Sequence, residues 1–174
     1  MVELPKGSTV VVDTSTFVLI GEPDNPKFQR FSEYVDEREV SVVMPERVYD
    51  ELHVGGYGTS KRVEEAEEQG WLVATQELEY TKQVSEVMDT VRERMASITS
   101  RPENEIEKTD TALAGHAVQL VESERSDNVV VLLRDNVAEQ AIQDAVGSME
   151  YDEIEAVNAG SLLDELTSDD FKIV

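Results

Sequence analysis

Two uninterrupted apolar runs, each leading to an aspartate, restrict the fold of this chain more than any other feature. Thr9-Val10-Val11-Val12 runs straight into Asp13, and Val129-Val130-Val131-Leu132-Leu133 passes through Arg134 to Asp135. A run without polar alternation has no solvent face. It predicts a strand covered on both sides, as in a parallel sheet. In open α/β sheets, ligands gather at the carboxyl ends of such strands, near the point where strand order reverses. An aspartate there either serves a site or caps the helix that follows. For Asp13 alone the two readings are equally open; the recurrence at Asp135 favours a site.

Helices are expected between the strands. Helical spacing predicts one over residues 27–37, with Phe28, Phe31, Tyr34 and Val35 on one side. Residues 40–44 form a second buried strand, stopped by Pro45, which suits the first turn of a helix over 46–53. Gly55-Gly56-Tyr57-Gly58 ends that helix as a loop. A charged helix over 60–69, closed by Gly70, and a short strand over 71–74 follow. The longest helix covers 77–98 and carries Val84, Val87, Met88, Val91, Met95 and Ile98 as an apolar stripe. That stripe exceeds what one sheet face needs and predicts a homodimer contact. A polar loop over 100–108 leads to a helix over 109–125, the strand over 129–133 and a helix over 136–146. A strand over 153–157 and a short helix over 161–166 end the pattern. Such alternation predicts a three-layer α/β/α domain around a central parallel sheet. The 174 residues fit one such domain, 1–174.

Charge limits the setting. Asp and Glu number 38 against 15 Lys and Arg, a net charge of −23 spread along the whole chain. Such a surface repels itself at ordinary salt and stays soluble at high salt, where screening shortens to about 3 Å at 1 M. A halophilic source follows. An acidic chain ordinarily argues against nucleic acid as a partner, but in a salt-rich cytoplasm the charge describes the solvent more than the ligand. No cysteine is present, and His53 and His116 are far apart, so thiolate and histidine metal sites are excluded. No apolar run approaches a membrane span, and the first residues lack a signal-peptide pattern, which reads as a cytoplasmic protein.

Two more acids join Asp13 and Asp135. On a helical wheel Asp110 lies within about 60° of Leu113, Ala114, Ala117 and Val121, so it faces the buried side at the start of its helix. Capping by Asp110 or Thr109 explains an acid at that end but not its inward face. In the helix after Pro45, Val48 and Leu52 mark the buried side; Glu51 borders it, while Asp50 points away. Carboxylates about 4 Å apart repel by about 1 kcal/mol per pair in water and by about 4 at an effective dielectric of 20. Asp13, Glu51, Asp110 and Asp135 converging on one pocket therefore require a cation. Oxygen ligands without His or Cys select Mg²⁺ or Mn²⁺. Such an ion polarises a phosphoryl oxygen and activates water, which gives metal-assisted phosphodiester hydrolysis.

With these four acids in order, the chain resembles the PIN-domain nucleases over almost its whole length. The segments are Val11-Val12-Asp13-Thr14-Ser15, Pro45-Glu46-Arg47-Val48-Tyr49-Asp50-Glu51-Leu52, Thr109-Asp110-Thr111-Ala112-Leu113-Ala114-Gly115-His116-Ala117 and Leu132-Leu133-Arg134-Asp135-Asn136. The composition marks an acidic, haloarchaeal-type member. The resemblance implies a five-stranded parallel sheet in order 3-2-1-4-5 and Mg²⁺- or Mn²⁺-dependent cleavage of single-stranded RNA. Two departures stand out. Many members carry Thr or Ser where this chain has Leu133, and some carry an acid where it has Val137. Ser15 or Asn136 would then supply the missing polar group.

Arg134, beside Asp135, either meets a phosphate or is an ordinary surface arginine. Tyr57, Lys61 and Arg62 either grip RNA by stacking and phosphate contact or belong to a linker whose glycines end a helix. His116 reads as a surface or hydrogen-bonded histidine, not a base. No glycine-rich phosphate loop is present. Three functions compete: a ribonuclease, either an RNA-processing enzyme or a toxin with an antitoxin protein; a PIN-like scaffold that binds RNA or protein without cutting; and a phosphotransfer receiver or phosphatase. The last lacks the acidic pair its chemistry needs.

Overall fold

A computed structural model describes residues 2–54 and 60–172. Gly55, Gly56, Tyr57 and Gly58, and with them the expected stacking by Tyr57, lie outside the described residues.

The sheet contains β1 (Thr9–Val12), β2 (Ser41–Pro45), β3 (Leu72–Gln76), β4 (Val129–Leu133) and β5 (Ile154–Asn158). All pairings are parallel and the order is β3-β2-β1-β4-β5. The pleat sends alternate residues of each strand to opposite faces. Val10, Val12, Val42, Met44, Val130 and Leu132 enter one core; Val11, Val43, Val131 and Leu133 enter the other. The unbroken apolar runs are thus explained by helices on both faces.

On the first face lie α1 (Thr14–Ile20), α2 (Pro26–Glu37), α3 (Glu46–Val54), α4 (Ser60–Glu68) and α8 (Ala159–Lys172). Phe17, Phe28 and Phe31 surround Trp71 there, with ring centroids 5.4–6.1 Å from it. On the second face lie α5 (Lys82–Thr99), α6 (Lys108–Glu122) and α7 (Asn136–Ser148). A Cβ on Gly115 would come within 3.0 Å of Met88 Sδ, so glycine at that point lets α5 seat closely on α6.

Three expectations change. Residues 14–20 form a helix that the apolar pattern does not announce; Asp13 caps it, and Phe17 and Ile20 bury it. The long helix starts at Lys82, not at 77, because Thr81 accepts the Val84 amide as its cap. Residues 77–79 instead lie along α6, with Gln119 bonding the Glu77 carbonyl and the Glu79 amide. The stripe of α5 is covered within the chain: Val84, Val87, Met88, Val91 and Met95 are buried against α6 and α7, and only Ile98 is exposed. The stripe is therefore accounted for within the chain and does not itself point to a homodimer contact. Among the described residues, no helix is long and apolar enough to cross a membrane.

Candidate active site

Strand order places two acids side by side. Val12 of β1 pairs with Leu132 of β4, so Asp13 and the Arg134-Asp135 turn leave the sheet at neighbouring carboxyl ends. β2 and β3 lie to one side of β1, and β4 and β5 to the other, so this is where strand order reverses. Both aspartates cap helices. Asp13 Oδ1 accepts the Thr16 amide at 2.7 Å. Asp135 Oδ1 accepts the Val137 and Ala138 amides at 2.8 and 3.1 Å. The two readings offered for Asp13 are therefore compatible, because capping fixes each carboxylate without neutralising it. Asp13 is buried and Asp135 exposed.

Asp110 faces them from α6. The N-cap of that helix is Glu107, which makes no side-chain capping bond, so neither Asp110 nor Thr109 is the cap. In the first turn of a helix the macrodipole favours an ionised acid. The Asp110 carboxyl is nonetheless raised from 3.8 to about 6, first by burial and then by the charges of Asp135, Asp13 and Glu107. Among the described residues, no cation is one of the groups that shift it. Three acids from three segments of the chain thus share one region of negative potential.

Glu51 is tied to Thr14, the chain neighbour of Asp13. The Thr14 hydroxyl donates to Glu51 Oε2 at 2.5 Å, while Arg47 Nε lies 3.8 Å from Oε1. Asp50, the rejected alternative, is exposed. The Ser15 hydroxyl donates to Asp13 Oδ2 at 2.8 Å. Asn136 Oδ1 accepts from Asn158 Nδ2 at 2.8 Å; the same amide reaches the Arg134 carbonyl at 3.3 Å and ties the end of β5 to the Asp135 turn. Arg134 is exposed beside Asp135, and Lys61 is exposed on α4. Leu133 is fully buried in the second core, so no polar group comes from that position.

Arg62 does not fit the role expected for it. Its side chain is 7% exposed, paired with Glu22 Oε1 at 2.6 Å and donating to the Phe17 carbonyl at 3.2 Å. Its guanidinium closes the α1–α4 junction, away from the solvent. His116 is buried and hydrogen-bonded, with Gln76 Nε2 2.8 Å from its Nδ1. Burial lowers its pKa to about 4, so it is neutral at working pH. Residue patterning missed Thr14, Glu107 and Asn158. The spacing from Glu107 to Asp110, one helical turn, could have found the second. Thr14 and Asn158 act across the tertiary structure and leave no local signal.

The donor chemistry of the region suits a hard divalent cation: carboxylate oxygens, no sulfur or imidazole, and a mutual repulsion with no cation acting on Asp110 to offset it. As the side chains stand, no three His, Asp or Glu among the described residues form a group that could hold an ion. Mg²⁺ commonly takes only one or two carboxylates and completes its shell with water and substrate phosphate.

A family model described as the halobacterial PIN domain matches residues 6–171, and the chain belongs to that family. It therefore has a nuclease-type fold. No curated protein matches the chain.

Proposed function

We propose that this PIN domain is an endoribonuclease that hydrolyses phosphodiester bonds of single-stranded RNA, using Mg²⁺ or Mn²⁺ held by Asp13, Asp110, Asp135 and Glu51. What carries the reading is the placement of Asp13 and the Arg134-Asp135 turn at neighbouring strand ends where strand order reverses, with Asp110 close enough for both charges to raise its carboxyl.

Each residue has a role in that scheme. Asp13 and Asp135 are held by helix amides through Oδ1, which orients their carboxylates without further ordering on binding. Asp110 supplies a carboxylate whose ionisation is completed only above about pH 6. The divalent ion, when bound, stabilises charge on the phosphoryl group and generates a nucleophile from water. Arg134 and Lys61 are exposed and meet backbone phosphates; Ser15 and Asn136 provide polar contacts around the acids. A neighbouring small gene encoding an antitoxin would separate a toxin role from RNA processing.

The test is cleavage of RNA with Mn²⁺ in molar KCl by wild type beside Asp13→Asn. Wild type should cut, and Asp13→Asn should not. A second reading, a scaffold that binds RNA or protein without cutting, draws on Leu133, which fills core where many members carry a hydroxyl. RNA retained by wild type but left intact in Mn²⁺ would select it.

A further inference from the structure

We propose that Thr14, the chain neighbour of Asp13, is a positioning residue of the acidic centre: its hydroxyl holds the Glu51 carboxylate at the start of α1, an orienting role that Leu133 has no polar atom to perform. The inference rests on the carboxylate–metal reading above.

Thr14 is the first residue of α1 and the chain neighbour of Asp13. Glu51 comes from α3, 37 positions later, so their hydrogen bond is a tertiary link made at the edge of the centre. Glu51 has two partners on opposite oxygens. Arg47, one turn earlier on the same helix and 58% exposed, lies 3.8 Å from Oε1. An exposed i,i+4 pair of that length is weak and leaves the carboxylate on the helix surface. The Thr14 hydroxyl is much closer, at 2.5 Å to Oε2, and a hydroxyl given to a carboxylate is among the stronger hydrogen bonds. Thr14 therefore decides which way Glu51 faces. Ser15, the next residue, does the same for Asp13 through Oδ2. Two consecutive hydroxyls in the first turn of α1 thus orient one acid each. Partners that orient metal ligands typically change metal affinity by roughly 10- to 100-fold when removed.

The competing explanation is that the bond merely joins α1 to α3. Calorimetric titration of the full chain with Mn²⁺ in molar KCl separates the two. Thr14→Val keeps the shape and removes the hydroxyl. It should weaken Mn²⁺ binding by roughly 10-fold or more, and Thr14→Ser should restore it. In a Glu51→Gln background, Thr14→Val should cause no further loss. A merely structural bond would lower the melting temperature of the metal-free protein and leave Mn²⁺ affinity unchanged; that result overturns the inference. Should Thr14→Val not fold, Thr14→Ala gives the same comparison. If Asp13→Asn and Glu51→Gln weaken Mn²⁺ binding while Thr14→Val and Thr14→Ala do not, only the role of Thr14 falls. If wild type takes up no Mn²⁺, or Asp13→Asn takes it up equally well, the metal reading falls and Thr14 with it.

Discussion

Asp13 and Asp135 follow adjacent parallel strands, and each uses Oδ1 to cap the helix that comes next. One side chain does two jobs at each position. Asparagine retains a capping oxygen and loses only the charge. Asp13→Asn and Asp135→Asn should therefore fold normally, and each should lower the pKa of Asp110 from about 6. Asp135→Asn should lower it more, since Asp135 raises it more than Asp13 does. Carboxyl-carbon NMR titration of Asp110 measures both shifts; an unmoved Asp110 in either variant would remove that acid from the centre. Asp13→Ala, by contrast, should also lose the cap, about 1 kcal/mol.

Asp110 gives stability a pH dependence of definite sign. Its folded-state pKa is raised from 3.8 to about 6, so between those values the folded chain binds more protons than the unfolded one. The contribution of this group to stability is then greatest in acid, falls as pH rises from about 4 to about 6, and levels off above. The cost at pH 7 is on the order of 1–3 kcal/mol once screening of a half-buried group is allowed for. Metal-free Asp110→Asn should be more stable than wild type at pH 7, and the advantage should vanish near pH 4. Urea titrations at the two pH values, in the same concentration of KCl, test this.

How much of this could be read from residues alone depends on the kind of signal. The strands were legible because Val10 to Val12 and Val129 to Leu133 allow no solvent face. Asp110 was legible because helical spacing fixes its direction. The helix at 14–20 was not, because Thr14, Thr16, Val18 and Ile20 are β-branched and disfavour helix; a cap and the burial of Thr16, Phe17 and Ile20 override that preference. Arg62 was misplaced because an arginine in a charged segment reads as surface. Only its tertiary partner, Glu22, shows that it is buried.

Salt and metal should act on different parts of the repulsion. A charge of −23 repels over the whole surface, and KCl screens that part. Charges about 4 Å apart lie within even a short screening length, so KCl relieves the acidic centre less. A divalent ion that binds only the native state stabilises by roughly 2.7 kcal/mol at a hundredfold excess over Kd. Melting temperature should therefore rise with KCl and rise again when Mn²⁺ is added at saturating KCl. Asp13→Asn should be more stable than wild type without metal and lose most of the second rise. Equal Mn²⁺ increments in the two proteins would leave the scaffold as the better reading.

The two arginines once considered together should separate cleanly. Arg62 is buried, bridging Glu22 and the Phe17 carbonyl, so Arg62→Ala leaves a carboxylate and a carbonyl without that cation. Because Glu22 is half-exposed, the loss should be roughly 2–3 kcal/mol, below that of a fully buried pair. RNA cleavage per folded molecule should stay unchanged. Arg134 is exposed beside Asp135 and makes no ion pair with the described residues. Arg134→Ala should change stability by less than about 0.5 kcal/mol, as for a surface substitution. It should instead raise KM for RNA and flatten the dependence of binding on salt, because one phosphate contact is lost. Urea unfolding with cleavage kinetics at several KCl concentrations reads both effects. Stability lost in Arg134→Ala, or KM raised in folded Arg62→Ala, would reverse the assignment of the two side chains.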